Sequence, residues 1–145
     1  MSQKNIEVLL IGKTGSGKSL LGNYLLGKKN AFKVSAWPNS ETQLTIKKTV
    51  ENLSVIDTPG LADSDGKDNE HYQHMINYIK SCENLNGILI VINSQETRFA
   101  EDIQTIIKLI CNVFYYETFK NIGIVFTKFY GKKKLKQEIM ESKIC

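Results

Sequence analysis

The chain has 145 residues, 41% of them apolar and 23% charged, with a formal net charge of +4. That length fits one compact domain with an adequate core, and the balance of apolar and charged residues excludes a disordered chain. Lysine supplies nearly all the positive charge, Arg98 being the one arginine; with no arginine-rich helix or aromatic-studded basic stripe, nucleic-acid binding is not expected.

Ile6–Ile11 is a nearly unbroken apolar run that ends at Gly12, which predicts a strand buried on both faces. Ser19–Leu26 predicts a helix, with Gly27 as its stop. Between them lies Gly12-Lys13-Thr14-Gly15-Ser16-Gly17-Lys18-Ser19, a full match to the phosphate-loop pattern in the strand–loop–helix context that pattern requires. Triphosphate oxygens need several donors at short range. Glycines let the backbone curl so that successive N–H groups point inward, and the following helix adds its N-terminal partial positive charge. The candidate nucleotide-binding segment is therefore Gly12 to Leu20. Lys18 is placed to reach the β- and γ-phosphates, and the Ser19 hydroxyl to ligate Mg²⁺.

Lys28–Gln43 has no helical period and contains Pro38, so it reads as a long loop, and long loops in compact domains are usually functional. A hydroxyl there can complete a Mg²⁺ shell and sense the γ-phosphate. Thr42 is the first choice, with Thr45 and Ser40 as alternatives. Trp37 stands in the same loop, as a partner contact, a cover for the base or a packed anchor. Leu44–Val50 and Leu53–Ile56 predict two strands joined by a tight hairpin at Glu51-Asn52. Asp57-Thr58-Pro59-Gly60 follows the second of these. Its carboxylate can hold Mg²⁺, directly or through water, and Gly60 can bring a backbone N–H to the γ-phosphate.

Thr58–Asp68 reads as a loop, and Asn69–Cys82 as a helix on the spacing of Tyr72, Met75, Ile76 and Ile79. His71 and His74 sit one turn apart on it, without a third ligand to make a metal site. Gly87–Ile92 predicts the fourth buried strand. Ile103, Ile106, Ile107, Ile110 and Phe114 mark an amphipathic helix, and Ile122–Thr127 predicts the fifth strand. Buried strands alternating with helices imply an α/β fold: a mainly parallel sheet with helices on both faces and ligands at the carboxyl ends of the strands.

The stretch from Gly87 through Asn93-Ser94-Gln95-Glu96-Thr97 to Arg98-Phe99-Ala100-Glu101-Asp102 joins an apolar strand, a polar turn and an Arg-aromatic-x-Glu-Asp step into a helix. It resembles the box peculiar to AIG1-type GTPases, the immunity-associated or GIMAP group. Ser40-Glu41-Thr42 and Asp57-Thr58-Pro59-Gly60-Leu61 fit that group too, and the resemblance covers Ile6 to about Lys128. It implies a three-layer Ras-like P-loop NTPase fold, binding of GTP and GDP with Mg²⁺, and nucleotide-controlled homodimers or homo-oligomers, often near membranes. Residues 1–130 would form the G domain and 131–145 a lysine-rich tail, the fold being shortened at its C-terminal end.

The family's guanine-reading step is Thr-Lys/Arg-x-Asp. Here it reads Thr127-Lys128-Phe129-Tyr130, so Thr127 and Lys128 are candidate base contacts while the carboxylate is replaced. In many relatives a glutamine follows the Asp-x-x-Gly glycine and orients water; Leu61 stands there, and slow hydrolysis is expected. Arg98 is the candidate catalytic residue, as an arginine finger acting across a dimer, with pairing to Glu101 or Asp102 as the structural alternative. Two further readings stay open: a nucleotide-loaded scaffold with negligible turnover, and an ATP-binding P-loop protein. Three cysteines at no recognisable spacing, and no signal-peptide pattern at Met1–Glu7, lead to the expectation of a cytoplasmic protein. The Lys132–Lys136 cluster reads as a solvated face, with contact to an anionic membrane as the minority alternative.

Overall fold

The computed structural model describes residues 4–34, 44–61, 69–82, 85–96, 99–113 and 121–129. In chain order the elements are β1 (Ile6–Ile11), α1 (Lys18–Leu25), β2 (Ile46–Val50), β3 (Leu53–Asp57), α2 (Asn69–Lys80), β4 (Leu85–Asn93), α3 (Phe99–Val113) and β5 (Ile122–Thr127). The five strands form one sheet in the order β2-β3-β1-β4-β5. β1 runs parallel to β3 and β4, and β4 parallel to β5; β2 alone is antiparallel, to β3.

The apolar run of β1 is explained by its central place, with side chains alternating into two cores. Leu9 and Ile11 face one, with Ile56, Ile88, Ile90 and Ile92 of neighbouring strands, Met75, Ile76 and Ile79 of α2, and Ile106, Leu109 and Ile110 of α3. Leu10 faces the other, with Val55, Val91, Leu26 and Phe32, beneath α1. Helices thus cover both faces, which is the three-layer α/β fold read from the sequence. The register pairs Leu10 with Asp57 and Ile11 with Ile90, so, while β4 runs on to Asn93, β1 and β3 end within a residue of each other. Gly12 and Asp57 meet there for that reason.

Element boundaries depart from the sequence reading where polar groups carry structure. β4 starts at Leu85, not Gly87: the ladder pairs Glu7 with Leu85 but Val8 with Gly87, so Asn86 is the extra residue of a bulge. Its Oδ1 accepts the Glu7 N–H at 2.8 Å, replacing the missing ladder bond. β2 begins at Ile46 rather than Leu44, and Ile46 to Thr49 are exposed, as befits an edge strand. The hairpin turn falls at Glu51-Asn52 as expected, with Glu51 at φ 52. α2 ends at Lys80, and bonds from Ser81 and Cys82 to Asn77, Tyr78 and Ile79 tighten its last turn. α3 begins at Phe99, ahead of its first apolar stripe residue, Ile103. Residues 130–145, including the lysine-rich tail, lie outside the described residues.

The chain leaves α1 through Gly27, which takes φ 61 as the expected stop. The next residues are pinned back onto the helix by Asn23. Its Oδ1 accepts the Phe32 N–H at 2.7 Å and its Nδ2 donates to the Phe32 carbonyl at 2.9 Å, while Lys28 N–H bonds the Asn23 carbonyl at 3.0 Å. Both residues are buried, and Phe32 fills the core beside Gly22 and Leu10. Asn23→Ala strands a buried N–H and a buried C=O at once, so chemical denaturation should read a loss of about 2–4 kcal/mol.

Candidate functional site

Three strand ends build the site. The loop after β1 turns on a bond from Ser16 N–H to the Lys13 carbonyl (3.1 Å), and α1's first bond runs from Leu21 N–H to the Gly17 carbonyl (2.9 Å). Gly15 and Gly17 hold φ 74 and 93, a left-handed backbone that favours glycine. Gly17 is the N-cap and supplies no side-chain cap. A helix N-terminus of this kind suits an anion.

Lys18 folds back over this loop. It is 6% exposed, and its Nζ donates to the Gly12 and Lys13 carbonyls at 2.9 Å each. Burial of the ammonium lowers its pKa from 10.5 to about 8, against the opposing pull of the Asp57 carboxylate. Asp57, the last residue of β3, is buried and its Oδ2 accepts the Ser19 hydroxyl at 2.6 Å. A hydroxyl and a carboxylate are hard oxygen donors of the kind Mg²⁺ prefers. Among the described residues no group of three or more His, Cys, Asp or Glu could hold a metal. One carboxylate and one hydroxyl fit an ion whose remaining ligands come from water and phosphate.

The segment after Asp57 is strapped to the same loop. The Thr58 hydroxyl donates to the Leu10 carbonyl at 2.7 Å, and Leu61 N–H to the Gly12 carbonyl at 3.0 Å. Gly60 lies so close to Thr14 that a Cβ would stand 2.0 Å from its Oγ1 and 2.4 Å from its backbone nitrogen. Only a residue without a side chain fits there. The Leu61 side chain packs against the α2/α3 core, which holds it apart from any polar role.

On the β5 side Thr127, a candidate base contact, has its hydroxyl 2.5 Å from the Ser16 carbonyl and 3.2 Å from that of Ile92. It ties the phosphate loop to β4 and β5. The next residue, Lys128, turns through φ 57 and is exposed, and Gln95 Nε2 reaches its carbonyl at 3.5 Å. Ser94 N–H bonds the Thr127 carbonyl at 3.0 Å. The polar turn Asn93 to Glu96 thus shapes the Thr127-Lys128 corner, a role that a search for side-chain chemistry alone misses.

Gly12 to Leu20, Asp57, Gly60 and Thr127 gather at one end of the sheet, with Lys128 at its β5 corner. Thr42, Ser40, Trp37, Arg98 and Tyr130 lie outside the described residues. Thr45, an alternative to Thr42, is described. Its Oγ1 is buried without a hydrogen-bond partner, one residue beyond the Ile46–Asp57 pair. Among the described residues the Ser16 hydroxyl inside the loop is likewise buried and unpartnered.

The lowered Lys18 pKa has a defined sign. Between pH 8 and 10.5 the unfolded chain binds more proton than the folded one, so ligand-free stability rises with pH across that window. Affinity for a polyanion falls instead, because the folded Lys18 loses its charge as pH rises through about 8. Titration with a nucleoside triphosphate should show binding weaken between about pH 7 and about pH 9.5; constant affinity would mean that Lys18 stays charged.

Comparison with known proteins bears on this arrangement. A sequence model of the AIG1 family matches residues 6–142, past the last motif at Lys128. Immune-associated nucleotide-binding protein 9 of Arabidopsis thaliana is 30% identical over 125 residues, covering 83% of this chain and 36% of its own length. Among solved structures, that of the chloroplast translocon components atToc33 and psToc159 aligns with a TM-score of 0.71 at 22% identity, over 90% of this chain and 53% of that one. Toc33 from Arabidopsis thaliana in complex with GDP and Mg²⁺ aligns with a TM-score of 0.67 at 22% identity, over 91% and 55%. The chain thus spans about a third of the length of the first relative and about half of each structural neighbour. The fold is that of the small GTPases, and on a family match that takes in nearly its whole length the protein belongs to the AIG1 family.

Proposed function

We propose that this chain binds GTP and GDP with Mg²⁺ and acts as a nucleotide-dependent switch that dimerises or assembles, with slow hydrolysis. The observation that carries the reading is the buried Lys18 ammonium, held by the Gly12 and Lys13 carbonyls beside the Ser19–Asp57 pair. Lys18 and the amides of residues 13–20 would hold the phosphates, and Ser19 and Asp57 the metal. Bound Mg²⁺ would neutralise charge on the phosphate oxygens. Thr42 is the first candidate for the group that reports the γ-phosphate; the alternative Thr45 has a buried Oγ1 without a hydrogen-bond partner, next to the Ile46–Asp57 pair. The relatives support the reading: the Arabidopsis protein is named for nucleotide binding, and Toc33 was solved with GDP and Mg²⁺.

Competition among GTP, GDP and ATP for the purified chain tests the base preference, which rests on family because Tyr130 replaces the expected carboxylate. Guanine nucleotides should win, and Lys18→Ala should weaken them roughly 100-fold, about 2.7 kcal/mol. Preference for ATP would replace the guanine reading with an adenine one, and unchanged affinity in Lys18→Ala would end both.

Slow hydrolysis follows from Leu61, which cannot orient water and whose side chain packs into the core. That same feature favours the alternative of a nucleotide-loaded scaffold with negligible turnover. Dimerisation is stated to be important for the GTPase activity of atToc33 and psToc159, and we carry the idea to this chain through Arg98 acting in trans. Turnover per molecule should rise with protein concentration and fall at least about tenfold in Arg98→Ala, while Thr45→Val should lower it at every concentration. Turnover flat with concentration removes the finger, and none at all leaves the scaffold.

A further inference from the structure

β2 is the strand whose place in the sheet is least determined by burial. Ile46 to Thr49 are exposed, and a strand without a buried face has its register weakly specified. The hairpin turn adds little. A two-residue loop favours Asn-Gly or Asp-Gly, whereas here Glu51 holds the left-handed φ of 52. Side chains select the register instead. Glu7 of β1 lies two residues before Leu9, on the face covered by α2 and α3, and is 8% exposed. Lys47 of β2 pairs with Ile56 on that same face, and its Nζ donates to the Glu7 carboxylate. This bond holds the Lys47 ammonium above its ordinary pKa. It reaches from β2 to β1 over β3, where Ser54, the neighbour of Glu7, is small and fully buried. The Ser54 hydroxyl in turn accepts from Asn5 Nδ2 at 3.0 Å and lies 2.8 Å from Thr49 Oγ1.

We propose that Glu7 and Lys47 are positioning residues for the phosphate site, their ion pair fixing the register in which β2 meets Asp57. The inference rests on the nucleotide reading above. The register pairs Ile46 with Asp57, so it decides where Thr45 stands relative to that carboxylate and where the loop that carries Thr42 ends. A slip of one residue would turn Lys47 to the opposite face of the sheet. It would leave the buried Glu7 carboxylate without its cation and carry the start of β2 about 3.4 Å along β3. A buried charge stripped of its partner costs far more than the intact pair contributes to stability, so the pair acts mainly against wrong registers. Holding a register is the best-attested use of such a pair. A loop hydroxyl that senses the γ-phosphate matters only when that phosphate is present, so binding of a triphosphate depends on the pair and binding of a diphosphate does not.

Two measurements on the full chain test it. In the ligand-free protein, cross-strand nuclear Overhauser contacts of the Ile46–Asp57 and Lys48–Val55 pairs should be present, and Lys47→Met should weaken or displace them. With saturating Mg²⁺, Lys47→Met should bind a non-hydrolysable GTP analogue at least about tenfold more weakly and GDP less than about twofold more weakly. Lys47→Arg and the charge-swapped E7K/K47E should recover both the contacts and the ratio of the two affinities. If Lys47→Met does not fold, Glu7→Gln, which keeps the shape and removes the charge, carries the test. The proposal is overturned by native cross-strand contacts in Lys47→Met, by equal loss for both nucleotides, or by a charge swap that restores thermal stability without the affinity ratio. Failure of the unaltered chain to bind either nucleotide would instead overturn the function proposed above, and the cross-strand contacts would still decide whether the pair sets the register.

Discussion

The structure depends on one buried cation. An ammonium withdrawn from water costs several kcal/mol unless acceptors replace its hydration. Lys18 finds two of them in the Gly12 and Lys13 carbonyls, with the Asp57 carboxylate nearby as counter-charge. That solution requires the loop to curl around the side chain, and the curl requires left-handed backbone at Gly15 and Gly17. The same curl leads into the N-terminus of α1, an end of a helix that suits an anion. The lysine is thus held ready inside a cradle whose walls are main chain, so little ordering is left to be done when a ligand binds.

Around that cradle the sheet acts as an alignment device. β1, β3, β4 and β5 run parallel, so their carboxyl ends collect at one edge, where the segment after β3 sends two bonds, and β5 one, to the phosphate loop or to the end of β1. Thr58 reaches the Leu10 carbonyl, Leu61 the Gly12 carbonyl, and Thr127 the Ser16 carbonyl. The segment after Asp57 has no space to shift sideways, because Gly60 lies against Thr14. Leu61, next in the chain, packs on the α2/α3 core.

The other end of α1 is fixed by a different device. Asn23 spends its whole side chain on the Phe32 backbone, and Phe32 fills the core on the α1 face. Polar satisfaction and apolar filling meet at the same residue, so the turn that carries Lys28, Lys29 and Lys33 has a rigid base although its side chains are solvated.

Much of this was legible in the residue order. Phosphate binding requires glycine at positions with left-handed backbone and lysine and serine at a set spacing, so Gly12 to Ser19 declares itself locally. The apolar runs of β1 and β4 and the stripe of α3 declare the layers, because burial on both faces or one has its own period. Other features belong to groups distant in sequence. The Thr127 hydroxyl meets the Ser16 carbonyl far away in sequence, and Asn86 replaces a ladder bond at a bulge; neither partner is marked by local spacing. Local chemistry is written in local spacing, whereas the partner of a hydrogen bond made across strands is chosen by the register and burial that only the folded chain creates.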